Sequence, residues 1–202
     1  MLTLWFAPRT RSIRVRWLLE ELGVPYALRR VEFNRPARTF AQDTPLGKLP
    51  VIEDDGTTIC ESGAIVEYIL ERYGEGRLAP AVGSTRRGEY LQWLHFAEAT
   101  AFAPLGVLIW HMLYAGDADS IPQVMESARE RGRDALEFIE RSIGERTWLL
   151  GDDFTAADVM MGFTLRAAVL LGVLDDRFPR LQGYVGRLAG RPAYQTASEG
   201  SL

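Results

Sequence analysis

Three short stretches of this 202-residue chain carry residues whose types and spacing suit binding chemistry. The first is Gly47-Lys48-Leu49-Pro50-Val51. A proline that opens a strand has no N–H to give a ladder, which suits an edge or a first position. A cis Leu49–Pro50 bond would also turn the preceding backbone outward. The N–H and C=O of Val51 would then be open, a template for an extended peptide ligand. A simple loop-to-strand proline is the plainer alternative.

The second stretch is Glu61-Ser62, at the head of a helix. Four free backbone N–H groups and the helix dipole gather there and favour a carboxylate. Ser62 adds a hydroxyl donor, and Glu61 can accept from an ammonium. One amino-acid-like end group would satisfy both, although a bare N-cap also accounts for Ser62. The third stretch is Thr10-Arg11-Ser12. Its hydroxyls can donate to an anion and Arg11 can pair with a carboxylate. Here the plainer readings are an N-cap for Ser12 and a solvated side chain for Arg11.

The elements that must position these residues follow from periodicity. Residues 2–6 read as a buried strand, and from Ser12 a helix carries Val15, Leu18, Leu19 and Leu22 on one face until Gly23 stops it. Tyr26 to Val31 is a second strand. Residues 34–47 are irregular, with room for a short helix. Two strands, Pro50–Glu53 and Thr57–Cys60, flank the hairpin signal Asp54-Asp55-Gly56. A helix then starts at Ser62, with Ile65, Val66, Ile69 and Leu70 at helical spacing. The helical crossover makes the first strand pair parallel and the tight turn makes the last antiparallel. This is the order of a thioredoxin-like sheet.

A Gly/Pro-rich linker spans 74–85, and strand signals vanish after it. Residues 86–115 form a long helix with Tyr90, Leu94, Ala97 and Ala101 on one stripe, bent by Pro104 and Gly106. Residues 122–143 are amphipathic, with Val124, Ala128, Ala135, Phe138, Ile139 and Ile143 expected inside. The helix over 156–171 is apolar nearly all round and so central. Thr155 and Asp158 form its capping box, with Phe154 as a staple onto Val159. A last helix covers 179–190. The expected fold is an α+β, thioredoxin-like domain over 1–76, followed by an all-helical bundle domain over 84–202.

Composition narrows the function. A net charge of −4 gives no basic excess for nucleic acid. No apolar run approaches the ~18 residues of a membrane span, and the first residues do not read as a signal peptide. Cys60 is the single cysteine, which excludes an internal disulfide, a CxxC pair and a thiolate zinc cluster. A reducing cytoplasm is the expected compartment. The cations are 22 arginines and one lysine, Lys48, which falls inside the first stretch.

In combination and order, these motifs resemble the soluble glutathione transferases over nearly the whole chain. Leu2 to Tyr26 is similar to the family's first strand and helix. Gly47 to Val51 resembles its cis-proline loop, and Glu61 to Tyr68 its glutamyl-binding motif. Thr155 to Asp158 resembles its capping box, and Trp93 to Glu98 resembles a bacterial and fungal branch.

The resemblance implies a thioredoxin-like glutathione-binding domain of order βαβαββα, a helical domain, a homodimer and a cytoplasmic detoxification enzyme with glutathione as co-substrate. Carried over by position, the backbone of Val51 pairs with the cysteinyl unit, and Leu49 and Pro50 of the same loop belong to the glutathione site. Glu61, Ser62 and Arg11 hold the γ-glutamyl end, and Lys48 lies near the glycyl carboxylate. Glu98 would reach across from a partner subunit. Phe6, Trp110, His111 and Tyr114 would wall the pocket of a small, hydrophobic electrophile.

The catalytic position departs from the pattern. Many members place a Tyr where this chain has Trp5, which donates only N–H. The hydroxyls on offer are Thr10 and Ser12. Ser12 to Arg16 also resembles the maleylacetoacetate isomerase branch, but Arg9 and Thr10 replace its serines. Glutathione-dependent disulfide or peroxide reduction, and a non-catalytic binding protein, are the competing readings.

Overall fold

A computed structural model describes residues 1–32 and 44–199. The chain divides into two compact units, Met1–Ala79 joined by the stretch from Ala189 onward, and Pro80–Leu188.

The first unit is built on a four-stranded sheet: β1 (Thr3–Phe6), β2 (Ala27–Arg30), β3 (Val51–Asp54) and β4 (Thr57–Cys60). Their order is β2-β1-β3-β4. β1 and β2 run parallel, because α1 (Ser12–Leu22) crosses between them. β3 runs antiparallel to both β1 and β4. The β3–β4 turn places Asp55 at φ 48 and Gly56 at φ 79, the left-handed pair that a two-residue hairpin needs. The helix anticipated within 34–47 falls mostly on residues outside those described.

Alternation along β1 sorts its side chains. Leu4 and Phe6 are fully buried, as are Ile52 of β3 and the inner residues of α1 and α2 (Ser62–Tyr73). Trp5 lies on the opposite face, in a row with Val51 and Cys60, and packs with Ala7 and Leu49. At the hairpin end, buried Asp54 accepts from Tyr68 Oη at 3.0 Å and from Tyr73 Oη, with Arg72 Nε at 3.1 Å. This carboxylate ties α2 to the hairpin.

The sequence reading places the C-terminal stretch with the helical bundle. It packs instead on α1. After α7 (Pro179–Ala189), Pro192 starts a short further helix, α8 (Pro192–Ser198). Tyr194 meets Trp17 edge-on at 4.7 Å, and Arg191 makes a two-pronged bond to Glu21 at 2.6 and 2.7 Å. Glu199, just beyond α8, pairs with Arg16 and Arg30.

The second unit is helical among its described residues. A continuous helix, Arg86–Ala115, comprises α3 (Arg86–Phe96) and α4 (Ala103–Ile109) with widened turns at Ala97–Phe102 and Trp110–Ala115. The expected bend takes the form of the first widening, just ahead of Pro104, whose missing N–H disrupts the ladder. Thr164 Oγ1 donates to the Ala97 carbonyl there at 2.9 Å. Length and composition would let this helix cross a membrane, but Tyr90, Leu94, Ala97, Ala101 and Leu105 are buried.

α5 (Pro122–Ile143) buries Met125, Ala128, Gly132, Ala135, Leu136, Ile139 and Ile143. Val124 and Phe138, expected inside, are exposed. Phe138 packs instead on Phe96 and Trp93, at 5.1 and 5.6 Å. The buried face runs through Met125, Ala128, Gly132, Leu136 and Ile139 at steps of three and four, which leaves Val124 and Phe138 on its flank. α6 (Ala156–Leu170) is buried nearly all round. Its capping box is present, and Asp158 Oδ2 accepts from Thr155 N at 2.8 Å. Asp158 also accepts from Leu149 N at 2.9 Å and from Tyr184 Oη at 2.6 Å.

Candidate functional site

The cis-proline loop ends in β3. Thr44 O accepts from Gly47 N at 3.2 Å, and φ +61 at Gly47 turns the chain toward Lys48. Lys48 is exposed, and the Leu49–Pro50 bond is cis. Val51, however, sits inside the ladder, with Trp5 on one side and Cys60 on the other as its strand partners. Its backbone is not an open edge, which corrects the expectation for that residue: β4 forms a fourth strand and leaves β3 internal. Leu49, on the far side of the cis bond, is buried but outside the ladder.

The head of α2 is unusual in two ways. Glu61 takes φ 73 and ψ 111, a conformation that costs a non-glycine residue roughly 1–3 kcal/mol. No side chain caps the helix, and its first turn holds no acidic residue. Ser62 is therefore not an N-cap; it is the first helical residue. Its hydroxyl, nearly fully buried, accepts from Arg14 Nη1 at 3.1 Å.

Arg14 is the residue that reading for motifs missed. It lies on α1, wholly buried, with its guanidinium against the head of α2. The signal was present, since Arg14 is one and two turns before Leu18 and Leu22 on an apolar stripe. A buried arginine demands hydrogen-bond partners.

The loop before α1 is closed on itself. Thr10 Oγ1 donates to Ala7 O at 2.8 Å and lies 2.6 Å from Ser12 Oγ. Ser12 Oγ lies 3.1 Å from Ala7 O and accepts from Ala7 N at 3.2 Å. Both hydroxyl protons have acceptors within the loop, and Ser12 is fully buried. Arg11, half-buried, holds the N-cap position of α1. Trp5 is buried, and its Nε1 has no hydrogen-bond partner among the described residues.

Phe6 does not face a pocket. It is fully buried, with the guanidinium carbons of Arg16 and Arg30 at 5.0 and 5.7 Å from its ring centre. Strand alternation sends it to the α1 side of the sheet. In the helical unit, Trp110 is exposed and packs on Tyr114 at 6.0 Å, while His111 Nδ1 lies 2.7 Å from Asp117 Oδ1. Glu98 is half-buried in the first widened turn.

The frame of the site is thus a thioredoxin-like unit with a cis-proline loop and an uncapped helix head, followed in the chain by a helical unit. Comparison with known proteins specifies it. Residues 1–71 match "Glutathione S-transferase, N-terminal domain" and residues 122–187 match "Glutathione S-transferase, C-terminal domain". Glutathione S-transferase GstB of Escherichia coli K12 is 30% identical over 205 residues, spanning 96% of this chain and 95% of its own. Glutathione S-transferase 3 of Schizosaccharomyces pombe is 28% identical, over 98% of this chain and 87% of its own. A glutathione transferase family member from Pseudomonas fluorescens, solved with two glutathione bound, superposes with a TM-score of 0.85 at 26% identity, covering 98% of this chain and 92% of that one. The chain belongs to the glutathione S-transferase family.

Proposed function

We propose that this protein is an active glutathione transferase, with glutathione as co-substrate and a small hydrophobic electrophile as acceptor. The observation that carries the reading is the uncapped head of α2, where a buried Ser62 hydroxyl and free first-turn N–H groups suit the γ-glutamyl carboxylate. Glu61 takes the ammonium of the same unit, and Arg11 lies on the carboxylate side. Leu49 offers the backbone outside the ladder to the cysteinyl unit, with cis Pro50 shaping the turn. Exposed Lys48 attends the glycyl carboxylate. Trp110, His111 and Tyr114 of the helical unit recognise the acceptor.

The chemistry needs no protein nucleophile. A thiol of pKa ~8.5 is mostly protonated at neutral pH, and each unit of lowering favours the anion by about 1.4 kcal/mol. Because the Thr10 and Ser12 protons are engaged within the loop, we assign these hydroxyls to holding it. The α1 N-terminus and Arg11 then stabilise the thiolate. The sulfur lone pair attacks an electrophilic carbon, a C–S bond forms, and the leaving group departs with its electron pair. The enzyme works as a cytoplasmic homodimer in detoxification.

Retention on immobilised glutathione, followed by turnover of an aryl halide, tests the proposal. A panel with a disulfide, a hydroperoxide and maleylacetoacetate separates conjugation from reduction and isomerisation. No retention on the column overturns the reading.

A further inference from the structure

We infer that Arg14 is a positioning residue that makes Ser62 an obligatory donor to a carboxylate ligand. Arg14 is wholly buried, and its Nη1 donates to Ser62 Oγ across 48 residues of sequence at 3.1 Å. A guanidinium has only donors, whereas a serine hydroxyl has one proton and acceptor lone pairs. Once Ser62 accepts from Arg14, its own proton is directed elsewhere. The N–H groups at the head of its helix are donors and cannot take that proton, and no side-chain cap bond is made there. The remaining proton thus suits an acceptor beyond the head of α2, and an anionic one best, since a donor polarised by a guanidinium is strengthened. An apolar or cationic end group at this place would leave that donor unmet. Arg14 therefore sets selectivity for a ligand carboxylate without touching the ligand. The geometry explains why a charged side chain occupies the apolar stripe of α1: rigid burial between two helices fixes the rotamer that orients Ser62.

The inference rests on the glutathione reading above. Calorimetry with two peptides tests it: glutathione, and γ-aminobutyryl-cysteinyl-glycine, which lacks only the glutamyl α-carboxylate. The wild-type protein is expected to prefer glutathione. Arg14→Met should reduce that preference by about tenfold, leaving affinity for the second peptide nearly unchanged. Arg14→Lys, which keeps a donor and a charge, should restore part of the preference, and it serves alone if the Met variant does not fold. In a Ser62→Ala background, Arg14→Lys and Arg14→Met should have little further effect.

Equal loss of affinity for both peptides would make Arg14 purely structural and overturn the inference, as would independent, multiplying effects of the two positions. An Arg14→Lys variant with full wild-type preference would overturn it as well. Wild-type protein that binds neither peptide would instead sink the glutathione reading, and this inference with it.

Discussion

The hydroxyl of Ser62 receives a bond from Arg14 and caps nothing in its own helix. Ser62→Ala removes one donor to a carboxylate, a charge-assisted bond worth about 1.5–3 kcal/mol. Glutathione affinity is expected to fall roughly tenfold or more by calorimetry, and Tm to fall as well, because buried Arg14 loses an acceptor. Thr10 has the opposite profile, since its proton is engaged by Ala7 O within the loop. Thr10→Val should lower stability by about 1 kcal/mol and leave the titration of bound thiol, followed by thiolate absorbance, within about half a unit of wild type. Arg11→Met should move the same titration upward. A large upward shift with Thr10→Val would restore the hydroxyl as the thiolate's donor.

At the scale of elements, two buried carboxylates organise the helices. Asp158 joins the start of α6 to Leu149 and to Tyr184 of α7. Burial pushes its carboxyl up, and the hydrogen bonds from Leu149, Tyr184 and Thr155 work against that rise. Asp158→Ala strands several donors at once, and is expected to cost about 3 kcal/mol or more in denaturant unfolding without altering glutathione affinity. Asp54 ties α2 to the β3–β4 hairpin. Its burial alone would raise the carboxyl, but bonds from Tyr73 and Tyr68 and the charge of Arg72 hold it below the usual range. A depressed folded-state pKa contributes stability that is present above the unfolded value and lost as pH falls through the folded one. Asp54→Asn should accordingly flatten the acid limb of a Tm-versus-pH curve, most visibly below about pH 4.

Across the whole molecule, the last described turn of chain closes the first unit. Glu199 lies between Arg30 and Arg16, and the Arg30 bond chiefly holds its carboxyl below the ordinary range, so its contribution too is lost on acidification. Arg16 also donates to Tyr26 Oη at 3.0 Å, and burial together with Glu20 pushes the Tyr26 hydroxyl up to about 12. Truncation after Ala189 would uncover Trp17, which is fully buried. We expect a loss of at least about 2 kcal/mol from that ring alone, read as a lower Tm with a red shift of tryptophan fluorescence. An unchanged spectrum would place α8 outside the folding unit.

Much of this was legible in one dimension. The strand and helix order, the Asp54-Asp55-Gly56 turn and the Thr155–Asp158 box are set by local rules of periodicity, turn conformation and capping, which act within a few residues. The motif stretches were legible for the same reason: a helix head or a proline loop announces itself locally. Tertiary structure alone decided the rest, because it brought distant residues together. Arg14 meets Ser62 only once two helices pack, and Val51 loses its open edge only once β4 closes on it. Whether the Thr10 proton faces a ligand or Ala7 depends on how the loop folds back on itself. Which unit claims the chain after Ala189 depends on Trp17 and Glu21, far away in sequence. Local sequence dictates what each segment can form; long-range packing selects which of its donors, acceptors and faces remain available for function.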